Sequence, residues 1–313
     1  MRNLNKPLLL QRTLLLLVIA PLVSEAAGQR LPALPLQPTS VVQPTPTVAA
    51  ESGVCSNHRF VKSLALTRVW IPAPPADILR LGTALSELIA KDLDSQGTFR
   101  TTLIPATRAT NLAPAIGSFT QTGRTYFVRI SGHDFIPSGQ DSSWSFFGPS
   151  SDPRSGTLDI TIDDSARETQ VAHSEISAEP IGTSPYRPPI DARGAPFWVG
   201  AYGQSLQHLA EHTAEFISQS LDCEPLQGQV IRVEGTQITI NRGADDGLRI
   251  SDQPRLLRRS APISLLGQEP LPERHLLESL GTTDIIHLGH RSTVLRYMGP
   301  QLVQVGDLVQ AGE

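Results

Sequence analysis

The sequence predicts an α+β fold: a mixed α/β domain over residues 54–224, then a small all-β, barrel-like domain over residues 225–313. Three observations predict it. Two long segments repeat apolar residues at helical spacing, and strand-like runs precede and separate them. After Leu226 only short strand-like runs with turn residues between them remain.

The first residues place this body outside the cytoplasm. Arg2, Lys6 and Arg12 precede the apolar run Leu14 to Ala20, and small residues follow at Ser24, Ala26 and Ala27. That is the plan of a secretory signal peptide, residues 1–26. The run is too short for a permanent membrane helix of roughly 20 residues, so the mature chain is expected to lack a transmembrane segment. No cysteine stands at the cleavage site, so lipid attachment there is not expected. Residues 27–53 hold Pro32, Pro35, Pro38, Pro44 and Pro46 with almost no charge, and read as an extended tether.

The formal charge of the whole chain is -4, and only Lys6, Lys62 and Lys91 are lysines. Removing the leader makes the mature chain more acidic. No basic block tracks phosphates, which argues against a nucleic-acid partner.

In chain order, Phe60–Pro72 is rich in β-branched and aromatic residues and reads as a strand. Pro74 and Pro75 then open a helix on which Ile78, Leu81, Leu85, Leu88, Ile89 and Leu93 recur at helical spacing. Thr98–Ile104 and Arg124–Phe135 read as strands, and Gly156–Asp163 with Glu168–Ser177 as a hairpin. A long helix runs from about Trp198 to Leu221 and closes at Glu224-Pro225. Beyond it, Gly228–Gly243 forms a hairpin turning at Glu234-Gly235, followed by strands in PRLLRR, TDIIHLGH, STVLRYMG and DLVQ. Cys55 and Cys223 stand at the two ends of the first domain, and in an exported chain the pair predicts a disulfide.

One motif suggests chemistry. His208-Leu209-Ala210-Glu211-His212 spells H-x-x-E-H, a pattern found on the metal helix of some zinc peptidases. On a helical wheel Leu206, Leu209, Ala210, Thr213, Phe216, Ile217, Ser220 and Leu221 form one stripe, while His208, Glu211, His212 and Glu215 lie opposite it. The motif therefore faces away from the core. A catalytic zinc needs a third ligand and a water-excluding cleft, so these residues read as a solvated face and no metal is assigned. Asp159, Asp163, Asp164 and Glu168 cluster at a hairpin turn and read as solvent-facing. Asn241–Leu248 resembles a calcium loop but lacks the bidentate glutamate, so a turn is expected. No nucleophile elbow or phosphate loop occurs; no catalytic residue, cofactor site or enzyme activity is assigned.

Two stretches resemble the flagellar assembly protein T family. ALTRVWIPAPPADILRLGTALSELIAKDL, Ala65–Leu93, is similar to its middle domain, which itself resembles the N-terminal domain of the Tol-Pal protein TolB. GQVIRVEGTQITINRGADDGLRISDQPRLLR, Gly228–Arg258, is similar to the start of its C-terminal β domain, and VQVGDLVQ to the closing strand. The resemblance covers roughly Cys55 to the C-terminus; the family's usual N-terminal domain has no counterpart beside the tether. It implies a TolB-N-like first domain and a periplasmic, non-enzymatic component of the H ring of the flagellar basal body. Its partners would be basal-body ring proteins and other copies of itself, near the outer membrane. A docking adaptor of another envelope machine is the second reading, and a zinc hydrolase the third.

Overall fold

The computed structural model describes residues 56–105, 125–135, 153–182, 185–260 and 276–312. The leader, the tether and Cys55 lie outside the described residues. All the described residues belong to one compact unit, Gly53–Glu313.

The first half is a five-stranded sheet with helices on one face. β1 (Lys62–Thr67) passes through β2 (Ile78–Leu79) and α1 (Leu81–Ser95) into β3 (Phe99–Ile104), which lies parallel to it. β4 (Tyr126–His133) joins the other side of β1, and β6 (Thr157–Asp164) and β7 (Thr169–Ser177) continue as an antiparallel hairpin, giving the order β3-β1-β4-β6-β7. Two-residue strands β5 (Pro153–Arg154), β8 (Ile181–Gly182) and β9 (Ile190–Asp191) tie the loops together. A short α2 (Ala195–Val199) leads into α3 (Ala201–Asp222). The period of two shows in what is buried: Leu64 and Leu66, Tyr126, Val128 and Ile130 form the core with the stripes of α1 and α3.

Two helix starts differ from the sequence expectation. Ile78 fits the helical period of α1, but its segment is drawn into a parallel pairing with Ile190, and the helix begins only after Arg80, whose φ is 58°. Tertiary pairing overrides the local period there. The expected long helix is broken at Gly200, which is extended (ψ 153°) between α2 and α3.

The second half is one antiparallel sheet. β10 (Leu226–Glu234), β11 (Gln237–Ile240), β12 (Arg255–Ser260), β13 (Leu276–Thr282), β14 (Asp284–Leu288), β15 (Thr293–Arg296) and β16 (Leu308–Ala311) are ordered β13-β12-β16-β10-β11-β15-β14. β13 is the strand that sequence reading does not find. β13 and β14 are the two edges of the sheet, yet only Thr283 separates them in the chain. The edges must therefore meet at that corner, so the sheet curls into a half-barrel around Leu226, Val230, Ile238, Leu256 and Leu295.

Phe60 joins the halves. It is expected in the first strand, but it is buried in the core of the curled sheet, two residues before β1 begins. Around it runs a seam. Val61 N–H donates to Asp246 O at 3.1 Å, Arg59 pairs with Asp252 at 2.6 Å, and Gln227 Nε2 donates to Asp164 Oδ2 at 2.7 Å. Arg259 donates to the carbonyls of Ser165 and Ala166. The approach is close enough that Gly247 (φ 89°) has no room for a side chain: a Cβ there would stand 2.2 Å from the Arg59 oxygen.

Candidate functional site

The H-x-x-E-H helix is α3, and its faces divide as the wheel predicts. Leu206, Leu209, Ala210, Thr213, Ile217 and Leu221 are buried and Phe216 and Ser220 half-buried, whereas His208, Glu211, His212 and Glu215 are exposed. The polar groups satisfy one another locally. His208 Nδ1 lies 3.1 Å from Glu211 Oε2, Gln207 Nε2 donates to Glu211 Oε1 at 3.1 Å, and Gln219 Nε2 donates to Glu215 Oε1 at 3.0 Å. Among the described residues no group of three or more His, Cys, Asp and Glu side chains has the placement to hold a metal ion.

Beside this face, α1 and α3 leave a groove of about 430 Å³ between Asp92, Ser95, Glu211, Glu215 and Gln219. It is shallow and acidic. Burial and the charge of Glu211 raise the Asp92 pKa above its ordinary value.

The acidic hairpin turn departs from expectation. Asp164 is fully buried: its Oδ1 accepts from the N–H groups of Ala166 (2.7 Å) and Arg167 (3.1 Å), and its Oδ2 from Gln227. Asp163 is buried beside Arg129, 3.0 Å away. The solvent-facing reading of these two is corrected: Asp164 is pressed against Gln227 of the second half, and Asp163 is covered by Arg129 of the adjacent strand β4. The calcium-like loop is a turn, as expected, but it too holds a buried acid. Asp246 is buried, with Gly243 N–H on one oxygen (2.9 Å) and Arg100 on the other (3.2 Å), so it caps its own turn and ties the halves together.

A third buried polar cluster supports the far end of the first half. Arg154 reaches both oxygens of Asp77, at 3.2 and 2.6 Å, and its guanidinium lies 5.7 and 5.9 Å from the rings of Tyr186 and Tyr202. Asp77 also accepts from Tyr186 N–H at 2.8 Å. Burial alone would raise the Asp77 pKa, but the Arg154 and Tyr186 hydrogen bonds outweigh it and hold the carboxyl below its ordinary value. Sequence reading singled out neither Arg154 nor Asp77, since nothing local distinguishes a buried arginine from a surface one.

Cys223 follows the last residue of α3. Asn57 Nδ2 donates to its carbonyl at 2.9 Å, so the chain two residues beyond Cys55 already lies against the expected partner. Lys62 donates to the carbonyls of Leu221 and Asp222, closing the helix end with a buried amine whose pKa burial lowers to about 8.

What remains for a functional site is surface. Among the described residues, large apolar side chains stand exposed in both halves: Trp70, Leu79 and Val199 in the first, and Ile231, Ile250, Met298, Leu302 and Val305 in the second. No helix among the described residues is long and apolar enough to cross a membrane.

The molecule is thus an α+β body of two fused cores that presents surfaces. No protein-family model matches the chain, and no curated protein matches its sequence. Solved structures do share parts of it. The chain is similar to PelC from Paraburkholderia phytofirmans, a dodecamer, at 11% identity and a TM-score of 0.32, over 53% of this chain and 90% of that one. It is similar to TolB from Acinetobacter baumannii at 12% identity and a TM-score of 0.25, over 72% and 51%. A Neisseria meningitidis lipoprotein is similar at 10% identity and a TM-score of 0.25, over 50% and 99%. At these TM-scores none of the likenesses bears on function, and the fold rests on the ladders described above.

Proposed function

We propose that this chain is a non-enzymatic protein of the bacterial envelope, periplasmic once its leader is removed, that serves as a structural part of the flagellar basal body. The observation that carries the structural reading is the seam. It fuses two cores into one stiff body, which then offers exposed apolar groups, at Trp70, Leu79 and Val199 and at Met298, Leu302 and Val305, with fixed spacing. A part of a larger assembly needs such surfaces. Export rests on residues 1–26, and the flagellar assignment on the resemblance of Ala65–Leu93 and Gly228–Arg258. The partners are then basal-body ring proteins and further copies of the chain.

The test is a deletion strain of a flagellated host. Expected are fewer flagella or poorer swimming, unchanged growth, and loss of the protein's ring density from isolated basal bodies. Normal motility with unchanged basal bodies would overturn the flagellar assignment and favour a docking adaptor of another envelope machine.

A further inference from the structure

We infer that two copies of this chain pair through β7, edge to edge and antiparallel, about a two-fold axis at Ser174. The inference rests on the reading of the chain as a structural part and names one contact that such a part makes.

β3 and β7 are the two edges of the first sheet, and they are finished differently. On β3 the outward N–H of Thr101 donates to the Asp94 carboxylate at 2.7 Å, so the end of α1 closes that edge. On β7 no strand among the described residues takes the outer side. Edges are commonly blunted by lysine, proline or a bulge. β7 has neither Lys nor Pro, and its one bulge, at Val171, comes before the regular stretch of residues 172–177.

The backbone limits which pairings are open. Ala178 N–H donates to Gly156 O at 2.7 Å, and hydrogen-bonded pairs alternate along an antiparallel ladder. Ala172, Ser174 and Ile176 therefore turn their backbone groups to β6, opposite Ile162, Ile160 and Leu158. His173, Glu175 and Ser177 turn theirs to solvent. A second β7 must match outward residues with outward residues, so in the middle of the stretch the axis falls at His173, Ser174 or Glu175.

Charge decides among the three. An axis at His173 sets that residue against its own copy, and one at Glu175 sets two carboxylates face to face, which is unfavourable. The axis at Ser174 sets His173 opposite Glu175 of the second copy, twice over. Both side chains have room for this, being 51% and 61% exposed. Each has one neighbour in its own chain, His173 Nδ1 at 3.5 Å from Asp159 and Glu175 Oε1 at 3.3 Å from His133, which leaves the far nitrogen and the far oxygen to meet across the axis. Glu168 and Glu179 stand beyond the ends of the matched stretch.

The same axis fits the volumes on the other face. Ala172 and Ile176 pack against the first core but stay half-buried, because the sheet stops beside them. About Ser174 the small Ala172 comes opposite the large Ile176 of the second copy, and each covers the other. One register thus satisfies backbone, charge and volume, so β7 is complementary to itself. That self-match selects a second copy over an unrelated strand. The contact is isologous: it uses up both edges and closes at two copies.

Sedimentation velocity of the mature chain over a range of concentrations tests this, with amide hydrogen exchange to place the contact. Expected is a monomer–dimer equilibrium, with exchange slowed at His173, Glu175 and Ser177 as the dimer forms. His173→Glu and Glu175→Lys each set like charges opposite one another and should weaken the dimer about tenfold. Mixed 1:1 they should pair again, because the two changes set opposite charges against each other. Glu175→Pro should abolish pairing, since the N–H it removes points away from β6 and the fold does not need it. Unchanged circular dichroism confirms that the variants fold. A wild type that stays monomeric overturns the inference and leaves the edge to an extended segment of another protein. So does assembly without protection of β7, a mixture that pairs no better than its components, or a Glu175→Pro variant that still dimerises. A monomer whose deletion still thins the basal bodies would sink only the pairing, whereas a dimer from a host that swims normally without the chain would sink only the flagellar assignment.

Discussion

At the C-terminal end of α3, Lys62, Asn57 and the last carbonyls of the helix meet beside the seam, buried and bonded across more than a hundred residues of sequence. Two to four turns earlier on the same helix, His208, Glu211 and His212 stand in solvent and bond only to their helical neighbours, if at all. Both places hold the residue types from which active sites are made. What separates them is what lies opposite. The helix end faces a second core, so each polar group there must find a protein partner, and each substitution leaves one unpaired. On the outer face water replaces any partner that is lost. A motif on a helix thus acquires meaning only from the element packed against it.

The largest expected effect falls on the seam. Phe60→Ala should cost about 3–5 kcal/mol in urea unfolding, because it empties a ring-sized site in the second core from outside the second half. The wild type should unfold in one transition. Two separate transitions for the halves would break the comparison, since the seam would then not couple them.

Next is the predicted bridge. The mature protein, denatured without reductant, should expose no reactive thiol, and Cys223→Ser should cost about 2–5 kcal/mol in the chain-entropy view of a long closed loop. Two thiols per chain would rule the bridge out.

Lys62 gives a smaller, pH-dependent effect. Its folded pKa of about 8 lies below the ordinary lysine value of 10.5, so between those values the unfolded chain binds the extra proton. Stability should rise with pH across that window and carry its penalty fully below pH 8. The buried tyrosines Tyr126 and Tyr202, with raised pKa values, act in the opposite sense above about pH 10. The difference in unfolding free energy between wild type and Lys62→Met, followed from pH 7 to 10, should therefore grow in favour of wild type. A flat difference would mean that the amine is not sequestered.

The smallest effect sharpens the other side. Glu211→Gln and His212→Ala should change stability by no more than about 0.5 kcal/mol, as surface substitutions do, and the purified protein should hold substoichiometric zinc. One zinc per chain, lost in His212→Ala, would revive the hydrolase reading.

Much of the fold is legible from periodicity, because burial on one face is written locally. The stripes of α1 and α3, the β6–β7 hairpin and the β10–β11 hairpin follow from spacings of 3.6 and 2 that any short window contains. Helix starts were less legible: Ile78 obeys the period of α1 but pairs with Ile190, more than a hundred residues away. Asp164 and Asp246 look like surface acids in a turn, and nothing within ten residues of either shows that Gln227 or Arg100 will cover it.

The sequence alone determined the α+β class, the order of most of the longer elements and which face of α3 is apolar, since each is a statement about neighbours along the chain. Only the tertiary structure decided that Phe60 belongs to the second core, that Asp77 and Arg154 neutralise each other, and that large apolar side chains such as Trp70, Val199, Met298 and Leu302 stand exposed. The reason is physical: whether a polar group is a liability or a lock, and whether an apolar one is core or contact, depends on what the fold brings against it from far away in the chain.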